Sequence, residues 1–455
     1  MAIETVNPYN NEKVKSFEEI SEKELDNKIE TAHQAFQKWK KTSVEKRCQL
    51  LEKVASIMKN RKTELAKLIT LEMGKLIEQS EAEIDMCISV YEYYAKNAAS
   101  FLEDKKIKIE DGEAFVRLTP IGSILAVMPW NYPFNQVARI AAPNIAAGNV
   151  ILVKHASNVP QCAAIIEEIF TEAGAETGIY TNLFIASKRV AKIAEDKRIA
   201  AMSLTGSEGA GASLAEAAGK NLKKSVLELG GSDPFIVLED ADLDKAVENA
   251  VKGRFGNMGQ ACTSSKRIIL LEEIADNFIE KFKKELQDLK VGNPMDKDTE
   301  VGPLSTEEAA KKIAKQVKET VDAGAKVLLG GKRMDREGAF FEPTILTDIK
   351  PGMVAYHEEI FGPVASIFRV KDEEAAIELA NDSSFGLGGS VFSKDLKRAV
   401  AVADKIETGM VFINEHTASR PDLPFGGVKR SGYGRELSAL GFEEFLNKKL
   451  IRIAE

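Results

Sequence analysis

A chain of 455 residues is longer than one hydrophobic core ordinarily supports, which predicts two large domains, and 44% hydrophobic with 29% charged residues excludes a disordered or fibrous chain. Its 70 acidic residues outnumber 62 basic ones for a net charge of −8, and no long basic run offsets this, so no nucleic-acid partner is expected. The opening residues carry no basic-then-apolar leader, and the longest apolar stretch, residues 140–153, is short and broken by Pro143, Asn144, Gly148 and Asn149; a cytoplasmic protein with no membrane partner is predicted.

Residues 21–104 read as helical. Leu25, Ile29, Ala32, Phe36 and Trp39 recur at spacings of four and three, and Ser21 with Glu24, then Thr42 with Glu45, resemble capping boxes that start successive helices. At residues 107–118, "IKIEDGEAFVRL", the period changes to that of two short strands around an Asp111-Gly112 turn. A lone hairpin is marginal in water, so further strands should complete it, either from another subunit or from the apolar residues 449–454.

From residue 121 onward the apolar runs "IGSILAVMP", "NVILVK", "NLFIAS" and "RIAAMSL" alternate with helical stretches, the pattern of a parallel sheet covered on both faces. After Gly230-Gly231 the alternation restarts with "PFIVLED", "KRIILLEE", "KVLLGG", "GSVFS" and "GMVFIN". The expected fold class is therefore α/β, with two parallel α/β domains.

Ligands of open α/β sheets gather at the carboxyl ends of strands, so the residues just after each run carry the chemistry. Lys154 ends one run and is either a solvated charge or a partner for a ribose hydroxyl or phosphate; no acid stands between it and Ile166, which leaves room for a 2′-phosphate held by Lys154 and Ser157. "SLTGSEGAG", residues 203–211, is a Gly-rich turn opening a helix, suited to negative charge, though it fits neither common nucleotide fingerprint. Glu228, at the end of another run and before two glycines, is either a salt-bridged strand end or a base whose pKa is raised by apolar neighbours. Cys262 stands among Gln260, Thr263 and Ser264, a setting too polar for an inert core thiol, and no histidine lies near it in sequence. The four cysteines, Cys48, Cys87, Cys162 and Cys262, form no CxxC pair, and the histidines are as scattered, so neither a disulfide framework nor a metal site is signalled.

"PWNYPF", "LTGSEGAG", "LELGGSDP", "GNMGQACT", "EEIFGPV" and "PFGGVKRSGYGRE", in this order across nearly the whole chain, resemble the aldehyde dehydrogenase superfamily, as does the spacing of thirty-four positions between Glu228 and Cys262. The resemblance implies a Rossmann-like cofactor domain (residues 1–104 and 120–228), a catalytic domain (229–426), and a small β arm for oligomerisation (105–119 and 437–455). It makes Cys262 the nucleophile, Glu228 the base and Asn131 the oxyanion donor in oxidation of an aldehyde to a carboxylate. It assigns Lys154, Gly206, Ser207, Glu359, Phe361 and Trp130 to cofactor binding. Where NAD-preferring members often carry Glu three residues after the lysine, Ser157 stands here, which favours NADP over NAD.

The finer resemblance of "KHASNVPQCA" is to the subgroup that oxidises succinate semialdehyde. Arg139 matches the arginine with which that subgroup grips the substrate's distal carboxylate, the alternative being a structural ion pair; Tyr132 and Ser419 complete the implied substrate contacts. A second arginine of many such enzymes is Gly256 here, with Arg254 as a candidate substitute. Some members carry a second cysteine two places after the nucleophile; Ser264 rules out that redox pair. Other aldehydes, or acyl transfer to CoA, are the rival activities, though CoA-acylating relatives commonly lack the Glu228 carboxylate. A homodimer or homotetramer is implied.

Overall fold

The computed structural model describes residues 3–454; residues 1, 2 and 455, which the expected domain division includes, lie outside the described residues. Helices Glu22–Trp39, Val44–Asn60, Lys62–Met73 and Ile77–Phe101 form the helical stretch. The first buries the face set by its spacing, and Ser21 and Glu24 cap it reciprocally, Ser21 Oγ accepting from the Glu24 N–H at 3.2 Å and the Glu24 carboxylate from the Ser21 N–H at 2.8 Å. The second begins later than expected: Ser43, not Thr42, is its N-cap, because the Thr42 hydroxyl donates to the Trp39 carbonyl at 2.7 Å. A hairpin of Ile3–Asn7 and Glu12–Phe17 precedes them; its second strand is mostly exposed and so lacks the apolar alternation that announces a strand.

The first sheet has the spatial order Gly432–Tyr433, Lys224–Glu228, Ile199–Thr205, Ser123–Met128, Val150–His155, Tyr180–Asn182. The last five are mutually parallel and largely buried, which is why most of them read as apolar runs. The run at residues 182–187 is not a strand: it leaves Tyr180–Asn182 as a loop and packs Leu183 and Ile185 into the core. The winding reverses between Ser123–Met128 and Ile199–Thr205, so the residues that follow these two strands flank a crevice.

The second sheet runs Lys326–Leu329, Thr344–Thr347, Val364–Val370, Arg267–Leu271, Pro234–Val237, Ser390–Phe392, Phe412–Ile413, parallel except for its first edge strand. Thr344–Thr347 and Val364–Val370 escaped the sequence pattern, one being short and the other broken by Ser366 and Arg369. Each sheet has its own apolar core, and Gly230-Gly231 lies on the link between Lys224–Glu228 and Pro234–Val237. The chain later crosses back: Gly432 pairs with Glu228 and Tyr433 with Leu227, antiparallel.

A third sheet has the order Leu446–Ile453, Glu113–Pro120, Lys105–Ile107. The chain's own C-terminal strand thus completes the hairpin, with Leu446 opposite Pro120 and Ile453 opposite Glu113. The hairpin turn is wider than expected, since Ile107 pairs with Ala114; Gly112 instead sits at φ 69° against the Ile453 backbone, where a Cβ would collide. A short helix, Ser438–Glu443, leads into that strand, whose other edge is open and whose Leu450 and Ile453 side chains are exposed. Among the described residues no helix is long and apolar enough to cross a membrane.

Candidate active site

Residues from the helical layer, from helices Asn135–Ala147 and Leu243–Phe255, and from the loops at 256–264 and 416–425 line a cleft of about 480 Å³. Cys262 lies on it together with Tyr132, Arg139 and Ser419. The loop before Cys262 is conformationally unusual: Asn257, Met258 and Gly259 take consecutive left-handed conformations, φ 51°, 53° and 69°. Such backbone persists only where its surroundings over-determine it. Here the Asn257 amide donates to the Asn131 carbonyl at 3.0 Å, the Asn257 N–H donates to Gln79 Oε1 at 3.0 Å, and Gln260 Oε1 accepts from the Ser305 N–H at 2.9 Å. Asn131 Nδ2 donates one hydrogen to the Gln260 carbonyl at 3.0 Å, leaving its second amide hydrogen for another acceptor.

Burial pushes the Cys262 thiol up to about 12, while Arg139 and Lys266 pull the other way. A resting thiol is therefore neutral and needs a base or a bound ligand to react. The other cysteines are free and buried. Ser264 accepts from Arg254 Nη1 at 2.6 Å and donates to the Gly253 carbonyl at 2.9 Å, so the position of a would-be redox partner is a structural hydroxyl.

Glu228 is buried, and neither carboxyl oxygen has a hydrogen-bond partner among the described residues. Burial and the neighbouring Glu436 raise its pKa well above the ordinary range. It is not a salt-bridged strand end. Its Oε1 lies close to Gly426, where an added Cβ would stand 2.7 Å away, so its carboxyl does not border the cleft in this arrangement. The Glu228 carbonyl accepts from the Gly206 N–H at 3.0 Å, tying this strand end to the Gly-rich turn.

That turn caps helix Glu208–Lys220, the Ser207 hydroxyl accepting from the Ala210 N–H at 3.4 Å. Lys154 is buried near the end of its strand, and burial alone lowers its pKa; among the described residues no carboxylate offsets it. A buried, unpaired ammonium and a helix start, at the ends of the two strands that flank Ser123–Met128, suit a phosphate-bearing ligand. Ser157 is half-buried, its carbonyl accepting from the Glu4 N–H at 3.1 Å. Trp130 and Phe361 meet edge-to-face at 5.7 Å, and Glu359 Oε1 accepts from the Gly231 N–H at 3.1 Å.

Arg139 lines the cleft and is also an ion pair: its Nη2 lies 2.6 Å from Glu436 Oε2, and its guanidinium stacks 3.7 Å from the Phe425 ring centroid. Arg254 does not replace the missing second arginine. It is fully buried and donates to the Val364 carbonyl at 2.7 Å, the Ile360 carbonyl at 3.0 Å and the Gly362 carbonyl, clamping the segment that carries Glu359 and Phe361. Gly256 leaves its side of the cleft open, since an added Cβ would meet nothing within 4 Å.

Sequence reasoning missed several lining residues. Lys75 and Glu83, a fully buried pair, reach the cleft from the helical layer, with the Lys75 ammonium 3.6 Å over the Tyr132 ring. His416 also lines it, far along the chain from Cys262, but its Nδ1 faces Asn249 Oδ1 at 3.0 Å and burial lowers its pKa, so it stands as a neutral, structurally engaged imidazole. Lys266 and Glu436 stood inside or beside quoted motifs, yet a charge in a sequence does not reveal whether it will be buried.

The model of the aldehyde dehydrogenase family matches residues 1–451. The chain is 49% identical to a succinate-semialdehyde dehydrogenase [NADP(+)] of Deinococcus radiodurans, over 98% of this chain and 94% of that one. It is 47% identical to succinate-semialdehyde dehydrogenase [NADP(+)] 1 of Mycobacterium tuberculosis over all of both chains. The crystal structure of succinic semialdehyde dehydrogenase from Streptococcus pyogenes in complex with NADP+ superposes with a TM-score of 0.98 at 45% identity, covering 100% of each chain.

Proposed function

Because the chain belongs to the aldehyde dehydrogenase family, we propose that it oxidises succinate semialdehyde to succinate with NADP, through a covalent intermediate on Cys262. The observation that carries this reading is the joint placing of Cys262, Arg139 and Ser419 on one cleft, a nucleophile with a cation and a hydroxyl to receive a substrate carboxylate. Tyr132 contributes a half-buried aromatic wall beneath the Lys75 ammonium.

In the mechanism, the Glu228 carboxyl turns from Gly426 toward the cleft, gives up its own proton to water there, and as carboxylate accepts the thiol proton, directly or through water. The thiolate attacks the aldehyde carbon. Negative charge then gathers on the former carbonyl oxygen, and the second Asn131 amide hydrogen and the Cys262 N–H stabilise it. Bound NADP would supply the acceptor for the hydride lost from this carbon; Cys262 then holds the oxidised carbon as a thioester. Glu228, its first proton passed on to solvent, next takes a proton from water, which attacks the thioester; the adduct collapses to carboxylic acid and Cys262 thiolate, and the acid's proton restores the thiol and leaves carboxylate.

Lys154 and Ser157 would hold the 2′-phosphate, Gly206 and Ser207 the pyrophosphate, and Glu359, Phe361 and Trp130 the nicotinamide end. The fit rests on the unpaired Lys154 and the lack of any acid at position 157. The protein works in the cytoplasm, and the open edge of Leu446–Ile453, with Leu450 and Ile453 exposed, pairs with a second copy to give a dimer or a pair of dimers.

A panel of aldehydes with and without a terminal carboxylate, each assayed with NADP and NAD, tests the reading. Highest kcat/KM for succinate semialdehyde with NADP is expected. Equal use of butanal, or preference for NAD, overturns the corresponding part.

A further inference from the structure

Lys266 follows Cys262 by four positions and is buried, yet the mechanism above gives it no task. Its ammonium donates to the Ala261 and Cys262 carbonyls, each at 2.9 Å, and lies 3.1 Å from Glu359 Oε1. Three donors on one nitrogen thus meet three oxygens. Glu359 Oε1 in turn accepts from the Gly231 N–H at 3.1 Å, in the turn that follows Glu228. The Cys262 carbonyl also packs against Gly231 so closely that a Cβ there would stand 2.6 Å from it.

We propose that Lys266 is a positioning residue: its ammonium locks the peptide that carries the Cys262 thiol to Glu359 and, through Glu359, to the turn after Glu228. This rests on the reading of Cys262 as nucleophile and Glu359 as a cofactor ligand. The lock has two physical effects. It fixes the Cys262 backbone at a point where the preceding loop is strained, so the thiol keeps one direction. It also sets a positive charge beside the thiol, opposing the burial that disfavours the thiolate. The charged groups acting on this thiol are Arg139 and Lys266, which favour ionisation, and Glu359 and Asp233, which oppose it. Removing the ammonium deletes one favourable charge and leaves Glu359 without its cation, and both changes disfavour the thiolate.

The test is the pH profile of Cys262 alkylation by iodoacetamide in the cofactor-free protein, read by peptide mass spectrometry, beside NADP binding read by fluorescence. For Lys266→Met the profile should move upward, with alkylation at pH 8 slower by about tenfold, the effect of roughly one pKa unit on the thiolate fraction. NADP should bind several-fold more weakly, because Glu359 loses its anchor. Lys266→Arg, which keeps the charge, should return alkylation at least halfway to wild type. If Lys266→Met does not fold by circular dichroism, Lys266→Gln takes its place, with the same upward movement expected. A profile that superimposes on wild type in the folded neutral variant overturns the proposal, as does equal slowing in Lys266→Arg and the neutral variant. The functional reading fails separately, if complete alkylation of Cys262 leaves aldehyde oxidation intact.

Discussion

Buried ionisable groups stand in two layers of the molecule, and the two are built in opposite ways. In the helical layer every buried acid is satisfied: Glu83 pairs with Lys75 and accepts from the Phe134 and Asn135 N–H groups at 3.0 and 3.1 Å, at the start of helix Asn135–Ala147. Glu72 does the same for helix Pro160–Glu172, accepting from the Gln161 and Cys162 N–H groups at 2.9 Å each and from the Thr5 hydroxyl. At the strand ends, among the described residues, Lys154 has no counter-charge and Glu228 has no donor. An unpaired buried ammonium and an unsatisfied buried carboxyl are both costly, so those two positions are explained by what they will contact in turnover, whereas Glu72 and Glu83 are explained by the fold they hold.

Exchanging the acids of the two layers for amides is the strongest way to break this contrast. Glu228→Gln should lower kcat by about 10²–10⁴-fold, the usual share of general-base catalysis, with an unchanged circular dichroism spectrum; a loss below tenfold would place Glu228 among the structural acids. Glu83→Gln should instead strand the buried Lys75 charge and cost about 3–5 kcal/mol in denaturant unfolding. A fully stable Glu83→Gln protein would remove the contrast from the other side.

Arg139 spans both categories, being paired with Glu436 and still lining the cleft. Arg139→Ala should raise KM for succinate semialdehyde by about tenfold or more, the worth of a charge-assisted hydrogen bond, and that for butanal far less. Equal effects on both substrates would assign it wholly to the fold. The smallest effect sharpens the comparison through pH. Glu228 keeps its proton in the folded protein, while the unfolded chain releases it above about pH 4.3, so wild type should lose stability relative to Glu228→Gln as pH rises from there through the raised folded pKa. Thermal melts of the two proteins at pH 4.5 and pH 8 read this difference; equal gaps at both pH values would mean that burial does not hold the proton.

Four strands of the first sheet, Ser123–Met128, Val150–His155, Ile199–Thr205 and Lys224–Glu228, and the motif ends that follow them were legible because long buried parallel strands read as unbroken apolar runs. What hid from the sequence was the fate of individual charges. Arg139 waits for Glu436, Arg254 for the Val364, Ile360 and Gly362 carbonyls, and Lys266 for Glu359, all partners brought in from distant segments. A guanidinium bound for solvent and one bound for the interior are the same letter. The strand Glu12–Phe17 hid for the converse reason, since an exposed strand has no apolar side to declare.

The antiparallel return of Gly432–Tyr433 onto Glu228 and Leu227 also fixes an order of events during synthesis. Until that return, Lys224–Glu228 is the margin of its sheet, and the whole second sheet is translated while Glu228 still faces water. The acid acquires its unusual proton affinity only when Gly426 closes over it and Glu436 arrives beside it. A nascent chain therefore owns its sulfur nucleophile well before it owns a tuned base, and competence for turnover is among the last properties that the emerging polypeptide gains.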